Sequence, residues 1–367
     1  MIKSVYIHIP FCNHICHYCD FPKMLYQKKW AYTYLEALEL EIKTYYQNDK
    51  LKTIYIGGGT PTALELEEFQ HLLDMVNQFK KEEQYEYTIE CNVESLTEEK
   101  IKLIQRYGVN RISIGVETFH SHHLSKINRA HTKEQVTKTI KLLKKYGFQN
   151  INIDFIYALP NESLNEVASD LQDFLELEIP HISTYSLMIE PNTTLYLQKQ
   201  EPILEELDAQ MYEYICETLK KHGYQHYEIS NFAKPNYESI HNLTYWNNEE
   251  YYGFGLGASG YIGNIRYTNT RSFNHYCEGK YRLEEEKINQ KTKMEYEMIL
   301  GLRKCEGVNR NTFFQKYGQT MESIFPIQRL EQEGKLKSSN EYIYIPEENI
   351  YLSNETLVEF VGINSKN

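Results

Sequence analysis

No run in the sequence approaches the ~18 consecutive apolar residues of a membrane-spanning helix, so no transmembrane segment is expected. The apolar stretch 5–9 is too short for the core of a secretory leader and is broken by His8, so no leader is expected either. A basic excess is also missing. The 39 Lys and Arg stand against 51 Asp and Glu, a formal charge of −12. That balance argues against a nucleic-acid groove or an anionic membrane as the main partner. Cysteines are few: seven in 367 residues, with no framework spacing outside the first three. This speaks against a disulfide-stapled secreted domain and leads us to expect a reducing, cytoplasmic location. Cys91, Cys216, Cys277 and Cys305 read as buried or free thiols. Tryptophan is scarce at two, whereas 32 tyrosines supply large aromatic surfaces for a core or for a flat ligand. The length suffices for one large domain and a smaller one.

What is present begins at the first strand-like run. Cys12, Cys16 and Cys19 stand in a CxxxCxxC spacing on a short loop that follows it. Thiols this close in such a chain are metal ligands more often than disulfide partners. Zinc and an iron–sulfur cluster are the two candidates. A structural zinc needs a fourth ligand, which His14 or His17 is positioned in sequence to supply. A four-iron cluster on three cysteines keeps one iron open for chemistry.

After this loop, apolar strand-like runs alternate with amphipathic helical patterns. Strands are expected at 5–9, 52–56, 85–90, 111–116, 150–157 and 181–188. Helices are expected at 29–46, 66–79, 97–107, 132–146, 163–177 and 204–222. Six such units predict a parallel sheet with right-handed crossovers, either an open partial barrel or a doubly wound sheet. Chemistry then belongs at the carboxyl ends of the strands. Gly57-Gly58-Gly59-Thr60-Pro61 stands at one such end, where bare backbone amides approach a ligand closely. Glu90, Glu117 and Asp154 fall at or near others, and Arg129 follows the fourth strand. A carboxylate inside an apolar strand needs a partner, and an Asp154–Arg129 ion pair is the structural reading.

The cysteine spacing, the aromatic Tyr18 before the last cysteine and the GGGTP segment together resemble the radical S-adenosylmethionine (SAM) superfamily. The resemblance implies a partial (β/α)6 barrel, a [4Fe–4S] cluster on Cys12, Cys16 and Cys19, and SAM chelated at the open iron. It also implies an electron donor for the cluster, whose reduction cleaves SAM to a 5′-deoxyadenosyl radical. Gly58, Gly59 and Thr60 match the segment that contacts the SAM methionine. Tyr6, Glu90, Glu117, Arg129, Asp154 and Ile156 match SAM-contacting or lining positions of the coproporphyrinogen-dehydrogenase branch. The chain has Val93, Glu117 and Asn128 where that branch commonly has Pro, Gln and Gly.

The second half carries His241-Asn242-Leu243-Thr244-Tyr245-Trp246. A lone histidine in an aromatic loop is usually a satisfied polar group. Imidazole is also a common axial haem ligand, and aromatic rings flank a macrocycle well. This HNxxYW string resembles the signature of the HemW haem chaperones within the radical-SAM superfamily. The resemblance implies haem bound through or near His241, with Asn242, Tyr245 and Trp246, and passed to apo-haemoproteins. Phe21 agrees with it, because true coproporphyrinogen dehydrogenases carry a fourth cysteine there. Oxidative decarboxylation of coproporphyrinogen III is the alternative, and a radical-SAM RNA-modifying enzyme is a more distant one.

Gly253–Gly260 contains a GxGxxG but reads as a glycine turn, without strand or helix around it. Helices near 294–303, 311–317 and 322–333 precede a strand pair at 342–345 and 350–352, which suggests an α+β winged-helix-like module. From Thr292 onward nine Lys and Arg face eleven Asp and Glu, so a structural or protein-contact role is expected. The expected organisation is a barrel over 1–230, a haem-binding and connecting segment over 231–291, and the module over 292–367.

Overall fold

The computed structural model describes residues 1–362. Nine strands build the main sheet. They are β1 (Ser4–Ile9), β2 (Leu51–Gly58), β3 (Lys81–Asn92), β4 (Arg111–Glu117), β5 (Asn150–Tyr157), β6 (His181–Ser186), β7 (Gln225–Glu228), β8 (Asn231–Ala233) and β9 (Tyr252–Phe254). Strands β1 to β6 are parallel and lie side by side in chain order. The helices between them are α1 (Lys28–Tyr45), α2 (Leu66–Asn77), α3 (Glu98–Arg106), α4 (Ser121–Lys126), α5 (Lys133–Lys145), α6 (Leu164–Glu176) and α7 (Glu205–Lys221). All six expected units form.

Local chemistry explains the boundaries. Thr97, Thr132 and Ser163 cap α3, α5 and α6 by accepting the amide of the third helical residue. In α5 and α6 that third residue, Gln135 or Glu166, reaches back to the cap amide. The strands are buried on both faces: Val5, Ile7, Ile9, Ile54, Ile56, Ile112, Ile114, Ile151 and Ile153 lie on one, and Ser4, His8, Thr53, Ser113 and Asn152, which alternate with them, on the other. That is the burial expected of a parallel sheet under crossover helices.

Both sheet edges were hidden in the sequence. β9 adds in parallel beside β1, so a short strand does precede the glycine string that reads as a bare turn. β8 runs antiparallel to β6, and β7 antiparallel to β8. These strands have three or four residues each, too few to show a period. The segment 231–291 therefore supplies two strands to the main sheet. It is docked by Glu41 of α1, which is fully buried. Glu41 accepts hydrogen bonds from Gly255 N (2.8 Å), Asn269 Nδ2 (2.7 Å) and Tyr276 Oη (2.6 Å), and pairs with Arg282 at 3.2 Å.

The C-terminal module has its own core around Met298, Phe313, Leu330, Ile343 and Phe360. Two expectations change there. The helix over 322–333 is split at Pro326 into Met321–Ile324 and Ile327–Gln332, because proline lacks the donor a continuous helix needs. Residues 350–352 are not a strand. Tyr342–Tyr344 instead pairs with Val308–Asn309 and Lys337–Ser338. The module meets the barrel edge through backbone bonds from Ile229 N to Arg303 O (3.0 Å) and from Cys305 N to Tyr227 O (3.1 Å).

Candidate functional site at the strand ends

The carboxyl ends of β2 to β6 and the loop after β1 surround one cavity of about 420 Å³. Cys12, Cys16 and Cys19 all line it, and all three are free thiols. The loop that carries them is braced from several directions. Gly59 N donates to Ile9 O at 2.9 Å and Thr60 N to Phe11 O at 2.8 Å. This close approach is why glycine stands at 58 and 59. A Cβ on Gly58, whose φ is +111°, would lie 2.4 Å from the His8 ring. A Cβ on Gly59 would meet backbone of the cysteine loop at 2.9 Å. From the other side, His17 N donates to Ile127 O at 3.0 Å and Asn128 Nδ2 to Ile15 O at 2.8 Å. Asn128 has a φ of +61°, a left-handed conformation that asparagine tolerates better than most residues.

Two donors face the sulfurs. Thr60 Oγ1 is 3.7 Å from Cys12 Sγ, and Arg129 Nη1 is 3.9 Å from Cys16 Sγ. Arg129 pairs with Glu117 at 3.0 Å, and its Nη2 also donates to Gly115 O. Glu117 accepts in addition from Tyr18 Oη at 2.9 Å. The ion pair expected of Arg129 thus forms with Glu117 and not with Asp154. Glu117 holds a φ of +65°, a conformation rare for a side chain of its size.

Asp154 instead accepts from Asn152 Nδ2 at 3.1 Å. Burial and the neighbouring carboxylates Glu90 and Glu117 push it up to about 7. Glu90 accepts from Tyr55 Oη (2.7 Å) and Gly58 N (2.9 Å), and burial raises its pKa too. Ile156 completes an apolar part of the wall with Leu187 and Met188. Tyr6 is packed behind the wall, its hydroxyl 2.9 Å from His8 Nδ1 and its ring against Tyr55.

The HNxxYW string forms helix α8 (Ile240–Trp246), capped by Ser239. Its residues do not converge on one space. Asn242 lines the cavity. His241 is 1% exposed, with Nδ1 2.8 Å from Thr53 Oγ1 and Nε2 2.7 Å from Tyr245 Oη. Its ring stacks on Tyr55 at 4.9 Å. Trp246 faces the C-terminal module, under Arg303. Sequence reasoning did not find Asn92, whose Nδ2 donates to Thr60 Oγ1 at 3.0 Å. It also missed Arg111, Ser113, Asn152 and Ser183, which floor the cavity. Their signal is that polar residues alternate with apolar ones in the first half of their strands: Arg111 opens β4, and Ser113, Asn152 and Ser183 stand third in β4, β5 and β6.

The donor set fits a cluster and its ligand. Three free thiols share one cavity with an arginine and a threonine aimed at the sulfurs. Arg129 Nε is buried without a partner, and the wall offers both carboxylates and apolar surface. His17, one possible zinc ligand, has Nδ1 engaged by Lys126 O at 2.7 Å.

Comparisons with known proteins agree with this geometry. The radical SAM superfamily model matches residues 6–174, and the HemN C-terminal domain model matches residues 288–352. A heme chaperone HemW of Lactococcus lactis is 43% identical, over 98% of this chain and 97% of its own. Its namesake in Bacillus subtilis is 41% identical over 98% and 100%, and that of Escherichia coli is 34% identical over 98% of each. Among solved structures, the coproporphyrinogen III oxidase HemN of Escherichia coli superposes with a TM-score of 0.86. It covers 98% of this chain and 90% of that one at 21% identity, a likeness of fold alone. The chain therefore belongs to the HemW family of heme chaperones, with a radical SAM domain and a HemN-type C-terminal domain.

Proposed function

We propose that this chain is a radical-SAM-type haem chaperone. It holds a [4Fe–4S] cluster on Cys12, Cys16 and Cys19, binds SAM at the strand ends, and binds haem and transfers it to apo-haemoproteins such as respiratory enzymes. The observation that carries the reading is similarity along 98% of the chain to relatives named heme chaperones. Phe21, 61% exposed at the cavity rim, agrees with it, since it stands where a fourth cysteine marks the decarboxylating branch.

Bound cluster and SAM supply one-electron chemistry, and the chain's residues bind, orient and exclude water around them. Arg129 offsets thiolate charge beside Cys16. Gly58, Gly59 and Thr60 present backbone close to the cluster loop, while Glu90, Glu117 and Asp154 offer acceptors for hydroxyl and amino groups. Tyr6 supports this wall through His8 and Tyr55, and Ile156 gives a base an apolar surface. Haem binding is assigned to α8, through or near His241, with Asn242, Tyr245 and Trp246. For His241 to reach iron, its ring must leave Thr53 and Tyr245. A bound cluster would need an electron donor, a partner protein, and the work is assigned to the cytoplasm.

The test is a Soret titration of haem into the anaerobically reconstituted protein, beside His241→Ala. Saturable binding with an altered spectrum in the variant is expected. Absence of specific binding by the wild type removes the reading. Formation of protoporphyrinogen from coproporphyrinogen III, SAM and reductant would replace it with the decarboxylase.

A further inference from the structure

A second cluster of ligand-type side chains lies outside the cavity, where Thr118-Phe119-His120-Ser121-His122-His123 leads from β4 into α4. Its imidazoles meet Glu166 of α6. His120, His122 and Glu166 each offer one ligand atom, and these atoms all lie within 4.8 Å of one another. His122 Nε2 is 3.0 Å from Glu166 Oε1, and His123 Nε2 is 3.4 Å from the same oxygen. The carboxylate is held from behind. Its Oε2 accepts from Ser163 N at 2.8 Å and from Ser163 Oγ at 2.6 Å, so Oε1 faces the histidines in a set orientation. Outer hydrogen bonds of this kind orient metal-binding carboxylates.

His123 is the independent observation. Its side chain is wholly buried, it faces Glu166, and neither ring nitrogen has a hydrogen-bond partner. A buried imidazole without partners carries a desolvation cost that a mere surface ion pair does not require. Imidazole and carboxylate are ligands of divalent first-row metals; three converge here, and His123 Nε2, 3.4 Å from Glu166 Oε1, stands beside them as the fourth that a closed tetrahedral site takes.

We infer that His120, His122, His123 and Glu166 form a second metal site, for a divalent ion of the zinc type, separate from the cysteine loop. Its place suggests what the ion does. It would clamp the start of α4 to α6. The far end of α4 braces the cysteine loop, through Lys126 O and Ile127 O to His17, and through Asn128 Nδ2 to Ile15 O. Arg129, the next residue, faces Cys16.

The experiment uses the full chain with its cluster reconstituted anaerobically, so that the three thiols are already occupied. Co²⁺ is titrated as a spectroscopic probe and Zn²⁺ by calorimetry. We expect saturable binding of one ion, with Co²⁺ ligand-field bands and no thiolate charge-transfer band. His122→Ala and Glu166→Gln should each weaken binding by about tenfold or more. Zn²⁺ should raise the melting temperature of the wild type and not of these variants. His122 is exposed, and its truncation removes only its ring contacts with its neighbours, chiefly His123 at 4.1 Å. An exposed histidine elsewhere, His71→Ala, should bind as the wild type does. No saturable binding, wild-type affinity in both site variants, or a thiolate charge-transfer band would overturn the assignment.

Discussion

Arg129 and Glu117 form a buried ion pair, 3.0 Å apart, directly behind the cysteine loop, and the same arginine reaches to 3.9 Å from Cys16 Sγ. One side chain thus ties the end of β4 to a cluster ligand. Arg129→Ala strands the Glu117 carboxylate in the interior, where an unpaired charge costs about 3–5 kcal/mol. We expect a lower melting temperature and less iron per chain after reconstitution. Glu117→Gln keeps a single oxygen acceptor where the two carboxylate oxygens serve Tyr18 and Arg129, and should retain more iron than Arg129→Ala and less than the wild type. Iron and sulfide analysis beside thermal denaturation checks both variants.

The two glycines of the second strand end should differ in how they fail. Gly58→Ala forces a Cβ to 2.4 Å from an imidazole, at a φ of +111°. Gly59→Ala instead meets backbone carbonyls at 2.9 Å, which yield less than a side chain does. Both should weaken SAM binding, and Gly59→Ala should also lower cluster occupancy because it displaces the cysteine loop. Equilibrium dialysis of SAM, normalised to iron content, separates the two effects.

Tyr245→Phe tests how His241 becomes available. The hydroxyl 2.7 Å from His241 Nε2 holds that nitrogen away from any iron. Removing it costs about 1 kcal/mol of stability and frees the nitrogen. Haem binding by this variant should be faster than by the wild type in stopped-flow Soret measurements. Slower or unchanged binding would show that release of the Tyr245 hydrogen bond does not limit haem entry, with His241 still held by Thr53.

Stability should fall as pH rises across the neutral range. Burial pushes Glu162 up to about 8 and Glu228 up to about 7. Both groups hold their protons more tightly folded than unfolded, where a glutamate titrates near ~4.3. Their contribution is therefore fully present below about pH 4 and is lost as pH rises through 7 and 8. Glu228 sits where the barrel edge meets the C-terminal module, paired in register with Lys304. Glu228→Gln should flatten the part of the decline that lies between about pH 4 and about pH 7, measured as melting temperature against pH.

Glu41→Ala should loosen the docking of the segment 252–282 on α1. It removes acceptors from Gly255, Asn269 and Tyr276 and the partner of Arg282 at once. A loss of about 3–5 kcal/mol is expected, read by urea denaturation.

Six strand–helix units, their caps and the cysteine loop were legible because each rests on local chemistry: a short period, a capping side chain, a three-residue spacing. The sequence by itself determined that three thiols and a glycine-rich turn stand at neighbouring strand ends, since the order of a parallel sheet follows from alternation. Tertiary structure alone decided the rest. It gave Arg129 to Glu117 rather than Asp154, turned His241 inward between Thr53 and Tyr245, and brought β9 beside β1. It also placed His120, the N-cap residue of α4, and His122 and His123 of α4 around a glutamate more than forty residues away. These pairings join segments distant in sequence. Which polar groups meet is settled by burial, where most donors and acceptors pair with those the packing brings within reach.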